Sequence, residues 1–405
     1  MRVQLKISIS TAIFLLTGFI SQGQNATKQK LEKDTVAFKI EKLQESDMSI
    51  LFSYYTQDGD NAAVTGGRGT EHLTDITSKI IVNIVLDEKR TVSFDGGFDH
   101  YSSASTDNID QFISSASKSD TRVHGNIGYS IKGKNFDYGF KVGGSKEYDY
   151  NSIQFSGYIS KTSLDGNRTF GLSTQALIDK WVIIYPQELR NQGNLVTSDQ
   201  RRSYSLSPSY AQVINRRMQL SISADLVTQS GLLSTPFHRV YFVDQAEAKV
   251  EKLPFTRFKL PVGLRFNYYA TDHLLVRTYY RYYWDNWGIR GHTASIELPY
   301  KINRFFSVYP YYRFHTQTAA NYFKPYKEHE SNLLYYTSDN DLAKITSHDI
   351  GFGVRYSPVE GISTFSFGSA SRPLTLKEIS MRYGHYTRTP TLTSNIISFG
   401  LNFTF

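Results

Sequence analysis

The sequence contains no cysteine among its 405 residues. Disulfide bonds, thiolate metal ligands and lipid attachment at a cysteine are therefore excluded. After residue 23 no segment approaches the roughly 20 apolar residues that a membrane-spanning helix needs, and the mean hydropathy is only -0.38. The net charge of +8 is spread along the chain without a basic run, so we expect no nucleic-acid partner.

Aromatic residues are abundant instead, with 29 Tyr and 26 Phe, and they lie in segments that alternate apolar and polar residues. The last eight residues show this alternation most clearly. Because a strand repeats every second residue, one face carries Phe399, Leu401, Phe403 and Phe405 and the other carries Ser398, Gly400, Asn402 and Thr404. This segment resembles the terminal strand of bacterial outer-membrane β-barrels, in which Gly400, Phe403 and Phe405 would match the signal read by the barrel-assembly machinery.

The amino-terminal segment predicts export. Arg2 and Lys6 precede an apolar stretch at residues 7–20 that is too short to span a bilayer, and small residues follow at 21–23. We therefore expect a signal peptide over residues 1–23, cleaved before Gln24, rather than a retained anchor. Residues 24–45 are charged and weakly patterned, which indicates a periplasmic tail ahead of a barrel at 46–405.

Alternating runs bounded by turn residues predict sixteen strands. They lie near 46–57, 73–86, 90–102, 121–132, 136–148, 151–162, 167–180, 202–214, 217–230, 257–270, 273–287, 290–301, 304–318, 347–358, 374–388 and 393–405. The predicted fold class is all-β, a transmembrane antiparallel barrel with short periplasmic turns and long extracellular loops, and only residues 359–373 break the turn rule. A soluble β-sandwich or solenoid is the alternative.

Assigning the apolar face of each strand to lipid predicts which charged side chains face the lumen. The basic set is Lys259, Arg265, Arg277, Arg281, Arg313, Arg355 and Arg382. The acidic set is Asp95, Asp99, Asp137, Asp225, Glu297 and Glu378, with Lys141 beside them. One interpretation is that arginine at the bilayer midplane costs roughly 2–4 kcal/mol, so these residues turn inward only to avoid lipid and to pair with acids. The other is that a basic wall facing an acidic wall orients small anions in transit.

Two loops contain candidate sites. Asp58 and Asp60, with Glu71 and Asp75 nearby, could supply oxygen ligands to calcium, although the spacing does not match the helix-loop-helix calcium pattern and a solvated acidic loop is the simpler interpretation. The segment 231–256 is too apolar for a free loop, so Phe237, His238, Tyr241 and Phe242 are candidates for a constriction or plug. The histidines show no metal-ligand spacing, so no metal site or cofactor is predicted.

An enzyme is a weaker hypothesis. His100 and Ser102 share one face of a strand, as the His and Ser of outer-membrane deacylases do, but Asp99 faces the other side and no oxyanion donor can be named. We therefore expect no catalytic residues and no enzymatic activity.

Several motifs resemble the Bacteroidota family called domain of unknown function 3570. They are Tyr54–Gly67, Asp99–Ser105, Thr235–Phe242, Thr316–Tyr322 and Met381–Tyr386. This resemblance covers the whole mature chain and implies an outer-membrane barrel without known catalytic residues. Members of this family are often encoded beside thioredoxin-like proteins and a flavin transferase, so the resemblance implies a link to envelope redox or flavin metabolism.

These observations predict an outer-membrane channel or transporter for a small polar or anionic solute. The alternative is a non-conducting outer-membrane protein that serves a periplasmic redox or flavin-modifying partner, and a second alternative is an outer-membrane hydrolase. The other expected partners are outer-membrane lipid, lipopolysaccharide and the barrel-assembly machinery.

Overall fold

The computed structural model describes residues 45–102, 119–185, 196–366 and 373–405. The predicted signal peptide and nearly all of the predicted tail lie outside the described residues. Sixteen strands form the barrel: β1 Asp47–Gly59, β2 Leu73–Val85, β3 Arg90–Ser102, β4 Ser119–Lys132, β5 Asp137–Lys146, β6 Tyr150–Thr162, β7 Arg168–Val182, β8 Ser198–Asn215, β9 Met218–Ala224 with Leu226–Gly231, β10 Thr256–Tyr269, β11 Leu275–Asp285, β12 Arg290–Glu297 with Tyr300–Lys301, β13 Phe306–Gln317, β14 Ile345–Tyr356, β15 Leu374–Arg388 and β16 Leu392–Thr404.

Every strand pairs antiparallel with its neighbours in sequence, and β1 also pairs with β16. That last ladder runs from Asp47 opposite Thr404 to Gly59 opposite Leu392, and two backbone hydrogen bonds of 3.0 Å between Ser46 and Phe405 extend it. The predicted sixteen-stranded closed barrel is therefore confirmed, and the alternative of stacked sheets is excluded. No helix among the described residues is long and apolar enough to cross a membrane.

Alternation places apolar side chains outside the barrel and polar ones inside. On β3, Phe94 and Phe98 are 46% and 45% exposed on the outer surface, whereas Asp95 and Asp99 are 5% and 7% exposed on the inner one. The same contrast follows the other strands, because successive side chains of a strand point to opposite faces. The outer surface is thus the apolar one, as a barrel in a bilayer requires.

The connections differ at the two ends of the barrel, which we call the turn end and the loop end. Turns such as 86–90 and 163–168 close with one or two backbone hydrogen bonds, and Gly166 adopts a φ of +72° that favours glycine. The unusually long turn-end connection after β14 includes a short strand, Ser363–Phe365, which pairs with the first residues of β15. This pairing accounts for the one exception to the turn rule.

Three loop-end connections pack together over the strand ends, and we call residues 60–72, 232–255 and 318–344 the cap. One apolar cluster joins Leu253, Ala320 and Leu342 of the cap to Trp287 and Ile289 of the β11–β12 connection, and another contains Val240, Phe242 and Tyr336 of the cap. Arg239–Val240 also pairs with Lys249–Val250 as a separate two-stranded sheet. The cap therefore has its own buried cores and is not a set of independent loops.

Candidate functional site

The lumen is lined by charged side chains at inward positions of the strands. The basic and acidic residues that the alternation of apolar and polar side chains predicted to face the lumen share one face of the sheet, because the strand register places them opposite one another or opposite other inward residues. Asp225 lies in the break between the two parts of β9. The register also turns inward several charged residues that the sequence prediction did not include, namely Lys79, Arg122, Asp179, Arg201, Arg257, Asp349 and Arg388. Among the described strand residues, inward bases outnumber acids on β10–β15 and inward acids outnumber bases on β1–β9.

A network of three side chains crosses the basic wall. The Glu297 carboxylate on β12 accepts a hydrogen bond from Arg277 on β11 and another from Arg382 on β15, each at 3.0 Å. The Arg382 guanidinium also lies 4.0 Å above the centre of the Tyr311 ring, where a cation is attracted to the aromatic face. Beside this network Arg355 and Glu378 are 3.7 Å apart.

These arginines face the lumen and are nevertheless in contact with solvent. The side chains of Arg277, Arg355 and Arg382 are 47%, 42% and 45% exposed. Arg265 and Arg281 instead lie over neighbouring rings, those of Tyr279 and Tyr283. The middle and turn-end parts of the lumen therefore contain accessible space beside a basic wall.

The acids of the opposite wall are paired locally. Asp95 lies 3.5 Å from Lys79 and 3.4 Å from Lys141, and it accepts a 2.8 Å hydrogen bond from Asn126. Asp99 accepts a 3.0 Å hydrogen bond from Thr77 and lies 3.9 Å from Arg122. These contacts agree with the interpretation that inward charges satisfy one another.

Buried ion pairs lie nearer the loop end of the lumen. Asp179 and Arg201 are 2.7 Å apart, and the Arg257 Nε donates to Asp285 at 3.0 Å. The second Asp285 oxygen accepts backbone N–H groups of Trp287 and Ile289 from the β11–β12 connection. Because a buried carboxylate must have its hydrogen bonds satisfied, Asp285 holds that connection in place.

The predicted constriction residues belong to the cap. His238 and Phe242 are almost fully buried, Tyr241 packs on Tyr326 with ring centres 4.8 Å apart, and Phe237 meets His238 edge to face at 5.4 Å. The segment is therefore packed, as its apolar composition indicated. It packs mainly on the β13–β14 connection, through Phe242 and Tyr336 at 4.9 Å.

A buried group of three ionisable side chains lies inside the cap. His238 Nδ1 is 3.4 Å from Glu251 Oε2 and 3.8 Å from Asp339 Oδ2. Burial raises the pKa of Glu251, but the hydrogen bond and charge of His238, with hydrogen bonds from Thr337 and Thr235, bring that pKa below its ordinary value. Sequence spacing missed this group because its members come from two different connections.

A second buried carboxyl, Glu71, links the first cap segment to the strand ends. It is 3% exposed, and its Oε2 has no hydrogen-bond partner. Burial, with a smaller contribution from the charge of Asp341, raises the pKa of Glu71 to about 8, against the opposing charge of Arg388. Asp58 and Asp60, the calcium candidates, are exposed, and they are not part of the one metal-compatible His, Asp and Glu group that the described residues contain.

The candidate hydrolase residues on β3 each have a hydrogen-bond partner on a neighbouring strand. The His100 Nδ1 is 2.8 Å from the Thr121 hydroxyl on the outer surface, and the Ser102 hydroxyl accepts the Thr74 backbone N–H at 2.8 Å. Asp99 faces the lumen, as the alternation of side chains along β3 predicts. At the other end of the chain Gly400 and Phe403 lie on β16, which closes the barrel against β1.

Comparison with solved structures returns barrels of low identity. A bacterial polysaccharide outer membrane secretin has 10% identity and a TM-score of 0.46, covering 88% of this chain and 98% of its own. A ferric enterobactin receptor mutant from Pseudomonas aeruginosa has 9% identity and a TM-score of 0.44, covering 84% of this chain, which spans only 53% of the receptor chain. A TodX monoaromatic hydrocarbon channel mutant has 9% identity and a TM-score of 0.38, covering 89% of both chains.

No curated protein matches the chain. A family model described as protein of unknown function, DUF3570, matches residues 95–390. The match spans the barrel from β3 to the end of β15, together with the cap segments 232–255 and 318–344. The chain therefore belongs to the DUF3570 family, as its motifs predicted.

Proposed function

We propose that this barrel lies in the bacterial outer membrane and conducts a small anionic solute along the arginine-bearing wall of its lumen. The observation that carries the proposal is the exposure of Arg277, Arg355 and Arg382. Three arginine side chains that are 42–47% exposed inside a barrel lie beside water-accessible space. A purely structural arginine would be expected to bury its charge against a partner, as Arg257 does.

The distribution of charge supports the choice of an anion. Bases exceed acids on β10–β15 and acids exceed bases on β1–β9, so the field inside the lumen points across the barrel. Such a field favours anions beside the basic wall and aligns a solute with a dipole as it moves. The apolar outer surface supports the proposed membrane location.

Planar-bilayer recording of the purified, folded protein tests this function. We expect discrete openings with a reversal potential that favours chloride over potassium. Arg277→Gln with Arg382→Gln should reduce that preference, because both side chains reach the lumen space. Arg90→Gln is the matched control, since Arg90 lies in an exposed turn and pairs with Asp87.

The cap supports a second candidate function. Its buried cores lie over the loop end, which favours a barrel that is closed there and does not conduct. The family resemblance then suggests that such a barrel serves a periplasmic redox or flavin-modifying protein. Bilayer recordings separate the two functions. Silence from protein with an intact barrel would contradict the channel, and co-purification of a periplasmic partner with the barrel would then support the accessory role.

A further inference from the structure

The buried group in the cap has a composition suited to metal binding. His238, Glu251 and Asp339 each present one ligand atom, and these atoms lie within 4.8 Å of one another. The three residues are 3%, 4% and 9% exposed. One imidazole nitrogen and two carboxylate oxygens are thus held together away from solvent.

The distances within the group match a ligand set better than an ion pair. Hydrogen bonds between a charged donor and a carboxylate are about 2.7–2.9 Å long. The separations of 3.4 and 3.8 Å from His238 Nδ1 to Glu251 and Asp339 are longer. Ligands arranged tetrahedrally around an ion at about 2.0–2.2 Å lie roughly 3.3–3.6 Å from one another. The two separations from His238 Nδ1 lie within this range and slightly above it, and all three ligand atoms lie within 4.8 Å.

Neighbouring groups orient both carboxylates. Glu251 Oε1 accepts the backbone N–H of Thr235, and its Oε2 accepts the Thr337 hydroxyl, each at 2.6 Å. Asp339 Oδ1 accepts the Asp341 N–H at 2.9 Å, while Oδ2 is the oxygen nearer His238. Hydrogen bonds to ligating groups from outside the ligand set are how metal sites hold their geometry.

We propose that His238, Glu251 and Asp339 bind a divalent transition-metal ion of the zinc type. The set of one nitrogen and two oxygens suits zinc, whereas calcium takes six to eight oxygen ligands. His238 binds as neutral imidazole through Nδ1. The metal joins the β9–β10 connection, which carries His238 and Glu251, to the β13–β14 connection, which carries Asp339, and so fastens the cap.

Zinc titration of the full-length protein in detergent, after dialysis against a chelator, tests the proposal. We expect about one zinc per chain by mass spectrometry of the eluted metal, with a dissociation constant below about one micromolar by chelator competition. Glu251→Gln and Asp339→Asn should each weaken binding at least about tenfold. Asp244→Asn is the matched control, because this carboxylate of the same cap segment accepts hydrogen bonds from Ser331 and lies outside the group.

Wild-type protein that does not compete with the chelator for zinc would overturn the site. Variants that bind zinc as tightly as wild type would also overturn it, provided that their heat-modifiable migration on gels shows a folded barrel. Cobalt provides a readout that does not depend on any variant folding. Wild-type protein should produce the visible absorption of four- or five-coordinate Co²⁺, and the spectrum of hydrated Co²⁺ alone would contradict the proposal. Neither measurement depends on conductance, so failure of the channel and failure of the metal site remain distinguishable.

Discussion

The Arg382 guanidinium reaches past two intervening strands to the Glu297 carboxylate, with Nη2 and Oε2 3.0 Å apart. Arg277 occupies the other oxygen of the same carboxylate at the same distance. One acid therefore restrains two bases on the wall that we propose conducts anions. Because one negative charge faces two positive ones, and both arginine side chains stay nearly half exposed, the acid lowers the positive potential of the wall without removing it.

Replacing Glu297 with Gln should increase anion preference. The substitution keeps the shape of the side chain and leaves both guanidinium charges uncompensated, so the permeability ratio of chloride to potassium should rise by roughly twofold. Reversal potentials under a salt gradient measure that ratio. Glu88→Gln, in an exposed turn, should leave it unchanged, and an unaltered ratio in Glu297→Gln would count against conduction along this wall.

Replacing Asp285 with Asn should destabilise the barrel. Arg257 would remain buried without its charged partner, which typically costs about 3–5 kcal/mol of unfolding free energy. Urea unfolding in detergent, followed by tryptophan fluorescence, measures the loss. Asp87→Asn removes the exposed pair with Arg90 and should leave the free energy of unfolding nearly unchanged, so equal losses in both variants would refute the assigned role of Asp285.

Glu71 should make stability depend on pH. Its pKa in the folded protein, about 8, is higher than its ordinary value of 4.5, so the folded state holds the proton more tightly than the unfolded state. The contribution of Glu71 to the free energy of unfolding should therefore be greatest below pH 4.5 and should fall as the pH rises from 4.5 to about 8.

The Glu71→Gln variant should show a flatter pH profile across that interval, because it stays neutral. Unfolding free energies in urea at a series of pH values provide the comparison, and Glu88→Gln should retain the slope of the wild type. A difference between wild type and Glu71→Gln that stays constant over the interval would show that Glu71 is ionised when the barrel is folded.

Gly66 should be intolerant of a side chain. It has a φ of +81°, and a Cβ added there would lie 2.6 Å from the Tyr241 ring, so Gly66→Ala should separate the first cap segment from the second. We expect faster proteolysis within residues 60–72. Gly166→Ala is the matched control, because its φ of +72° carries the same backbone strain of about 1 kcal/mol but no atom lies within 4 Å of the added Cβ.

Much of the barrel could be predicted because its rule is local. The segment 273–287 alternates apolar and polar residues so regularly that the alternation alone predicts the inward position of Arg277 and Arg281. Their contacts are not needed for that prediction. The contact between Glu297 and Arg382 could not be predicted in this way. Glu297 and Arg382 are 85 positions apart in the chain. Their contact depends on the curvature of the barrel wall and on the position of the Tyr311 ring.

The contacts of the cap could not be predicted from the sequence either. The apolar composition of residues 231–256 indicated that this segment packs, but it did not indicate which other segments it contacts. The pairing of Asp95 with Lys79 and Lys141 likewise required the register of β2 to β5.

By itself the sequence determined the strands, their inward and outward faces and the membership of the family, because lipid and water sort alternate side chains residue by residue. Only the tertiary structure decided which charges meet and that His238, Glu251 and Asp339 come together. Those contacts join distant segments whose spacing in the chain carries no period, so their geometry arises only when the loops pack.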